Sequence, residues 1–289
     1  MKLQQFSPFW SIALVCVLLP FTAFSGEFSQ SEKSPLQIVA FGDSTTAVYD
    51  WKSSTGEVYA QCLPRSLARQ GIAVDVINAG IGNTTTREGR ERLDRDVRAH
   101  QPNLVIIQFG INDSWIDIDL GRTKPRLTRE EFRDNLGFII SQLQSDGAAI
   151  ILMTPNPMRW DDPFYIDAFQ QYPGLLDTGA ERGLNALLDV YAADVREVAR
   201  HTGVILIDVL REFEDYGQQS GQPINELLIA GDGIHPSEKG QSLVCALLTK
   251  GITEWASEAV EPVAVFPGCL NCSKNPELAT AANLIRPMQ

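Results

Sequence analysis

Five short apolar runs, LQIVAFG, VDVINAG, NLVIIQFG, AAIILMTP and GVILIDV, constrain this chain more than any other feature of its sequence. Each is nearly continuous in hydrophobicity and rich in Val and Ile, the pattern of strands covered on both faces. Helical periodicity fills intervals between them. From Arg129 to Asp146 the residues Phe132, Leu136, Ile139, Ile140 and Leu143 fall on one face, Thr128 and Glu131 form a capping-box signature, and Gly147 stops the pattern. From Leu184 to His201 the positions Leu187, Leu188, Tyr191, Val195 and Val198 repeat it, with Gly203 just beyond. Strands alternating with helices predict an α/β domain, a mostly parallel sheet with right-handed crossovers and helices on both faces. That domain is expected over residues 35–257, with a C-terminal extension over 258–289.

The start of the chain obeys a different rule. Lys2 precedes the apolar stretch FWSIALVCVLLPFTAF, and Ala23 and Ser25 supply small side chains after it. This predicts a secretory signal over residues 1–25, with Pro20 interrupting a run already short for a membrane span. The mature protein is then expected in a periplasmic or extracellular space, without stable membrane insertion. Four cysteines remain: Cys62, Cys245, Cys269 and Cys272, an even number in an oxidising compartment. The pair Cys269 and Cys272 could close a small loop, contribute half of a metal site or stay as thiols. A formal net charge of −12 argues against nucleic acid or an anionic membrane as partner.

In a parallel sheet of this kind ligands bind beyond the carboxyl ends of the strands, so the residues just after each run carry the chemistry. The first run leads into Gly42, Asp43 and Ser44; the second into NAGIGNTTT, with Gly82 and Asn83; the third into FGINDS, with Asn112. After the fifth comes AGDGIHPSEKG, with Asp232 and His235. A serine hydroxyl is a weak nucleophile until a base takes its proton, which His235 can do, and Asp232 lies close enough in sequence to hold the imidazole. An oxyanion needs fixed donors, and the Ser44 backbone N–H, a backbone N–H at Gly82 and the Asn112 amide are candidates. Trp115 and Trp160 lie in two long connections and are candidate substrate-contacting residues. The chain has no HExxH, histidine cluster or phosphate-cradling glycine-lysine loop, so neither metal nor cofactor is expected.

In their order these four stretches resemble the motif blocks of the SGNH hydrolase superfamily, the GDSL esterases and lipases, across nearly the whole predicted domain. The resemblance implies a flavodoxin-like three-layer α/β/α sandwich with a five-stranded parallel sheet in the order 2-1-3-4-5. It implies a Ser44–His235–Asp232 triad and an oxyanion hole lined by Ser44, a glycine of the second block and Asn112. One departure stands out: many relatives carry a glycine directly before the polar residue and threonines of that block, where this chain has Asn83, so Asn83 is the alternative to Gly82. In the implied topology Cys62 and Cys245 lie in the first and last helices on one side of the sheet, which makes a bridge between them geometrically reasonable. The expected activity is hydrolysis of carboxylic esters with small acyl groups, on a small-molecule or glycan substrate such as an O-acetylated sugar. A lysophospholipase or thioesterase with the same triad, or a non-catalytic glycan-binding module, are the alternatives.

Overall fold

The computed structural model describes residues 34–48, 56–159, 184–221 and 224–260. The expected signal segment, Trp160, and the stretch holding Cys269 and Cys272 lie outside them. Five strands, β1 (Leu36–Gly42), β2 (Val74–Gly80), β3 (Leu104–Gln108), β4 (Ala149–Met153) and β5 (Ile205–Ile207), form one sheet in the order β2-β1-β3-β4-β5. All pairs are parallel. Seven α-helices accompany them among the described residues: α1 (Tyr59–Ala68), α2 (Thr86–Asp96), α3 (Ile111–Ser114), α4 (Arg129–Ser145), α5 (Leu184–Thr202), α6 (Val209–Ser220) and α7 (Glu238–Val260). None is long and apolar enough to cross a membrane.

Alternation along the strands divides the core into two layers. Ile38, Ala40, Leu104, Ile106, Ile151 and Met153 face α1, α6 and α7. Val39, Phe41, Val105, Ile107, Ile150 and Leu152 face α2, α4 and α5. Each fully buried Leu or Ile is worth about 1.5–3 kcal/mol of transfer free energy, which is why apolar residues fill the middle of β1, β3 and β4. At the margins the pattern loosens: β2, an edge strand, is mostly half-buried and exposes Asp75. The fifth run, expected to continue through Asp208 and Val209, stops at Ile207. There the Asp208 carboxylate accepts a bond from the Arg211 backbone N–H at 3.3 Å and caps α6, so the chain turns helical two residues early.

The capping box at Thr128 forms as the sequence predicts, with Glu131 N–H donating to Thr128 Oγ1 at 3.2 Å and Thr128 N–H to Glu131 Oε2 at 2.9 Å. Cys62 on α1 and Cys245 on α7 form a disulfide with Cα atoms 6.3 Å apart. The strand register is level at the carboxyl edge, where Gly42 pairs with both Gly80 and Gln108, and Gln108 with Met153. The loops that leave these residues therefore start side by side.

Candidate active site

Close packing at the sheet edge fixes the path into Ser44. A Cβ on Gly42 would stand 2.3 Å from Thr46 Oγ1 and 2.6 Å from the Gln108 carbonyl, and one on Gly80 2.4 Å from the Ala47 nitrogen. Only glycine fits at either place. The buried Arg92 guanidinium donates to the carbonyls of Gly42 and Ala79, both at 2.7 Å, and so ties the ends of β1 and β2. The Asp43 carbonyl accepts from the N–H groups of Thr46 at 3.3 Å and Ala47 at 3.1 Å, closing a turn that presents Ser44. From α7, Gln241 donates to the Thr45 carbonyl at 3.2 Å and accepts from the Tyr59 N–H at 2.9 Å. The Ser44 turn is thus tied to the ends of β1 and β2 and to helices α1, α2 and α7.

Ser44 Oγ lies 2.9 Å from His235 Nε2, and His235 Nδ1 lies 2.8 Å from Asp232 Oδ2. The carboxylate only accepts, so Nδ1 carries the proton and Nε2 is left to accept from the serine hydroxyl. The second Asp232 oxygen accepts from the backbone N–H groups of Ile234 at 2.8 Å and His235 at 3.0 Å. Burial raises the Asp232 pKa, but the His235 ring and these two amides outweigh it and hold the carboxyl below its ordinary range. The loop is itself clipped down, with Ile229 N–H donating to the His235 carbonyl and Ser237 N–H to the Leu227 carbonyl, both at 2.8 Å. Residues 191 positions apart thereby meet in a fixed line.

The candidate oxyanion donors gather on the other side. Among the described residues the backbone N–H groups of Ser44, Gly82 and Asn83 have no acceptor. Of the two second-block residues it is Asn83 that takes a left-handed backbone, φ 61°, a conformation that glycine adopts freely and asparagine tolerates better than other side chains. Asn112, on the short helix α3, donates from Nδ2 to Asp43 Oδ2 at 3.4 Å. Asp43 is fully enclosed; burial raises its pKa above the ordinary range, against the pull of hydrogen bonds from Thr45 and the nearby His235.

Asp113, next to Asn112, does a different job. Its Oδ1 accepts from Thr86 N–H at 2.8 Å and Thr86 Oγ1 at 2.6 Å, joining α3 to the start of α2, while Oδ2 has no hydrogen-bond partner among the described residues. Burial, only partly offset by Thr86, pushes this carboxyl up to about 7. An unfolded aspartate titrates near ~3.9, so between about pH 4 and pH 7 the folded chain holds a proton that the unfolded chain has lost, and stability must fall as pH rises through that window. Asp113→Asn can keep both Thr86 bonds and cannot ionise. Its melting temperature relative to the parent protein is expected to rise between pH 5 and pH 8; parallel melting curves across that range would contradict the assignment.

Trp115, expected to touch substrate, is half-buried and packs with Ile111, Ile116, Ile118 and Leu188 in a small apolar cluster that also meets Ile234, the neighbour of His235. Two cavities adjoin the site. One of about 20 Å³ lies between Ser44, Val58, Ile229, His235 and Pro236. The other, about 780 Å³, is a polar trough running from Asn83 and Arg126 past Thr85, Asp117, Arg122 and Lys124.

The family model for GDSL-like lipases and acylhydrolases matches residues 40–243. An uncharacterized lipoprotein of Bacillus subtilis, YqeF, is 31% identical over 214 residues, 72% of this chain and 85% of that protein. An acetylxylan esterase of Geobacillus stearothermophilus is 27% identical over 186 residues, 64% of this chain and 75% of the esterase. Among solved structures, the lipase/acylhydrolase from Enterococcus faecalis superposes with a TM-score of 0.57 at 29% identity, covering 76% of this chain and 96% of its own.

Proposed function

Because the chain belongs to the GDSL-like lipase/acylhydrolase family and is an ester hydrolase of that family, we propose that Ser44, His235 and Asp232 form its catalytic triad and act through an acyl-enzyme. The observation that carries this is the unbroken line of hydrogen bonds from Ser44 Oγ through the His235 ring to Asp232. Ser44 attacks the ester carbonyl as His235 Nε2 takes its proton. His235 returns that proton to the departing alkoxide, and a water activated by the same nitrogen releases the acid from Ser44. Asp232 holds the tautomer and stabilises the imidazolium. The negative charge on the former carbonyl oxygen is met by the Ser44 N–H, the Asn112 amide and an N–H of the Gly82–Asn83 turn; the left-handed backbone at Asn83 favours its own N–H.

The small cavity beside Ser44 suits an acetyl-sized acyl group better than a long chain. The polar trough beyond Asn83, lined by hydroxyl, carboxylate and guanidinium groups, suits a hydroxyl-rich leaving group, and the acetylxylan esterase among the relatives supports an O-acetylated glycan. The apolar N-terminal segment, the Cys62–Cys245 disulfide and the lipoprotein relative support export to an oxidising space. Acetate release from acetylated xylo-oligosaccharides should exceed fatty-acid release from lysophospholipids at equal enzyme concentration. Clear preference for the lipid would reverse the substrate assignment.

A further inference from the structure

Arg126 stands in the loop after α3 and touches three residues at once. Its backbone is fixed first: Arg126 N–H donates to the Trp115 carbonyl at 2.9 Å and Leu127 N–H to the Asp113 carbonyl at 3.1 Å, so the segment runs back along α3. Its guanidinium then spreads. Nε and Nη2 bind the Asp117 carboxylate, the closest pair at 2.7 Å, while Nη1 donates to Asn83 Oδ1 at 2.7 Å and to Asn112 Oδ1 at 3.2 Å. One planar group therefore grips both the second-block turn and the Asn112 side chain.

From this geometry we infer that Arg126 is a positioning residue of the oxyanion hole, orienting the Asn112 amide and the Asn83 turn; the inference rests on the proposed triad. Donors and acceptors decide it. A guanidinium can only donate and the Asp43 carboxylate can only accept, so Asn112, lying between them, must turn its oxygen to Arg126 and its nitrogen to Asp43. Rotating the amide by half a turn would set donor against donor and oxygen against oxygen. The Asp43 contact alone, at 3.4 Å, is the longer of the two, so Arg126 supplies the tighter hold. With one amide hydrogen of Nδ2 directed at Asp43, the other is free for the substrate oxygen. Asn83 accounts for the departure from glycine in the second block: its side chain gives Arg126 an acceptor that glycine lacks.

The decisive variant is Arg126→Lys, because an ammonium can still pair with Asp117 and hold the loop but cannot reach two asparagines in a fixed plane. Steady-state kinetics on a chromogenic acetate ester should give a kcat about 10–50-fold below the parent with KM within about 3-fold, as expected for an interaction made in the transition state, and a melting temperature within about 3 °C. Asn112→Ala should lose about 100–1,000-fold, and the double variant Arg126→Lys/Asn112→Ala should lose clearly less than the product of the two single losses, because Arg126 acts in part through the Asn112 donor and only its hold on the Asn83 turn is left to remove. Retention of kcat in Arg126→Lys, or losses that multiply in the double variant, would overturn the assignment. Ser44→Ala in the same panel separates the two levels: if it is inactive while Arg126→Lys is unimpaired, only the role of Arg126 falls. Should Ser44→Ala keep full activity, the triad proposal fails and takes this inference with it.

Discussion

Ser44→Ala is expected to lower kcat on a chromogenic acetate ester by about 10⁴-fold or more while leaving the fold intact. The hydroxyl is the only group at position 44 able to attack a carbonyl, and its hydrogen-bond partner is the His235 ring. The turn around it is held by backbone bonds from Asp43 and by Gln241, none of which involves the serine side chain. Truncation therefore removes chemistry and leaves architecture, and the melting temperature should move by no more than a few degrees, ~0.5 kcal/mol in stability. What activity survives reflects the oxyanion donors and substrate binding alone. For the same reason His235→Ala should cost about as much, and the double variant Ser44→Ala/His235→Ala little more than either, since nucleophile and base act as one unit. Additive losses would mean that the two residues do not share a step.

The second large effect concerns stability. The Cys62–Cys245 disulfide joins residues 183 apart, so it closes a loop covering most of the folded domain. A cross-link of that span restricts the unfolded chain by about 5 kcal/mol in the chain-entropy treatment, and measured effects of removing native bridges run at about 2–5 kcal/mol. For a domain of this size each kcal/mol corresponds to about 2–4 °C. Cys62→Ser/Cys245→Ser, or reduction with dithiothreitol, should thus lower the melting temperature by about 5–20 °C. Activity measured well below the transition should persist, because the bridge lies in the layer between α1 and α7 and does not touch Ser44 or His235. An unchanged melting temperature after reduction would contradict this role for the bridge.

What the sequence made legible is what short-range pattern can carry. The runs LQIVAFG and VDVINAG became β1 and β2 without a change of boundary: β1, buried inside the sheet, needs apolar residues on both faces, and β2, half-buried at the edge, still carries Val and Ile. Thr128 and Glu131 announced α4, since a capping box is a purely local device. Ser44, Asp232 and His235 stood out because each comes after a strand or sits in a turn with its own signature. Asn83 was readable only as a departure; that it takes the left-handed backbone itself depends on the turn it makes with Gly82. Arg126, Arg92 and Gln241 were not readable at all. Arg126 lies among Arg122, Lys124 and Arg129 with nothing in the sequence to single it out, and its role exists only because the loop folds back along α3. Arg92 looks like one more charge on a polar helix until the ends of β1 and β2 supply carbonyls for it. Asp208 misled for a related reason, as its capping bond to Arg211 outweighed the apolar run in which it sits.

The central claim is that acyl transfer passes through the hydroxyl of Ser44, and a fluorophosphonate probe tests it most directly, since such reagents bond far faster to a serine activated by its base than to an ordinary hydroxyl. Peptide mass spectrometry of the inactivated protein should find one adduct per chain, on Ser44, and none when His235 is alanine. An adduct on a different residue accompanying the loss of activity, or full activity in protein labelled at Ser44, would contradict it.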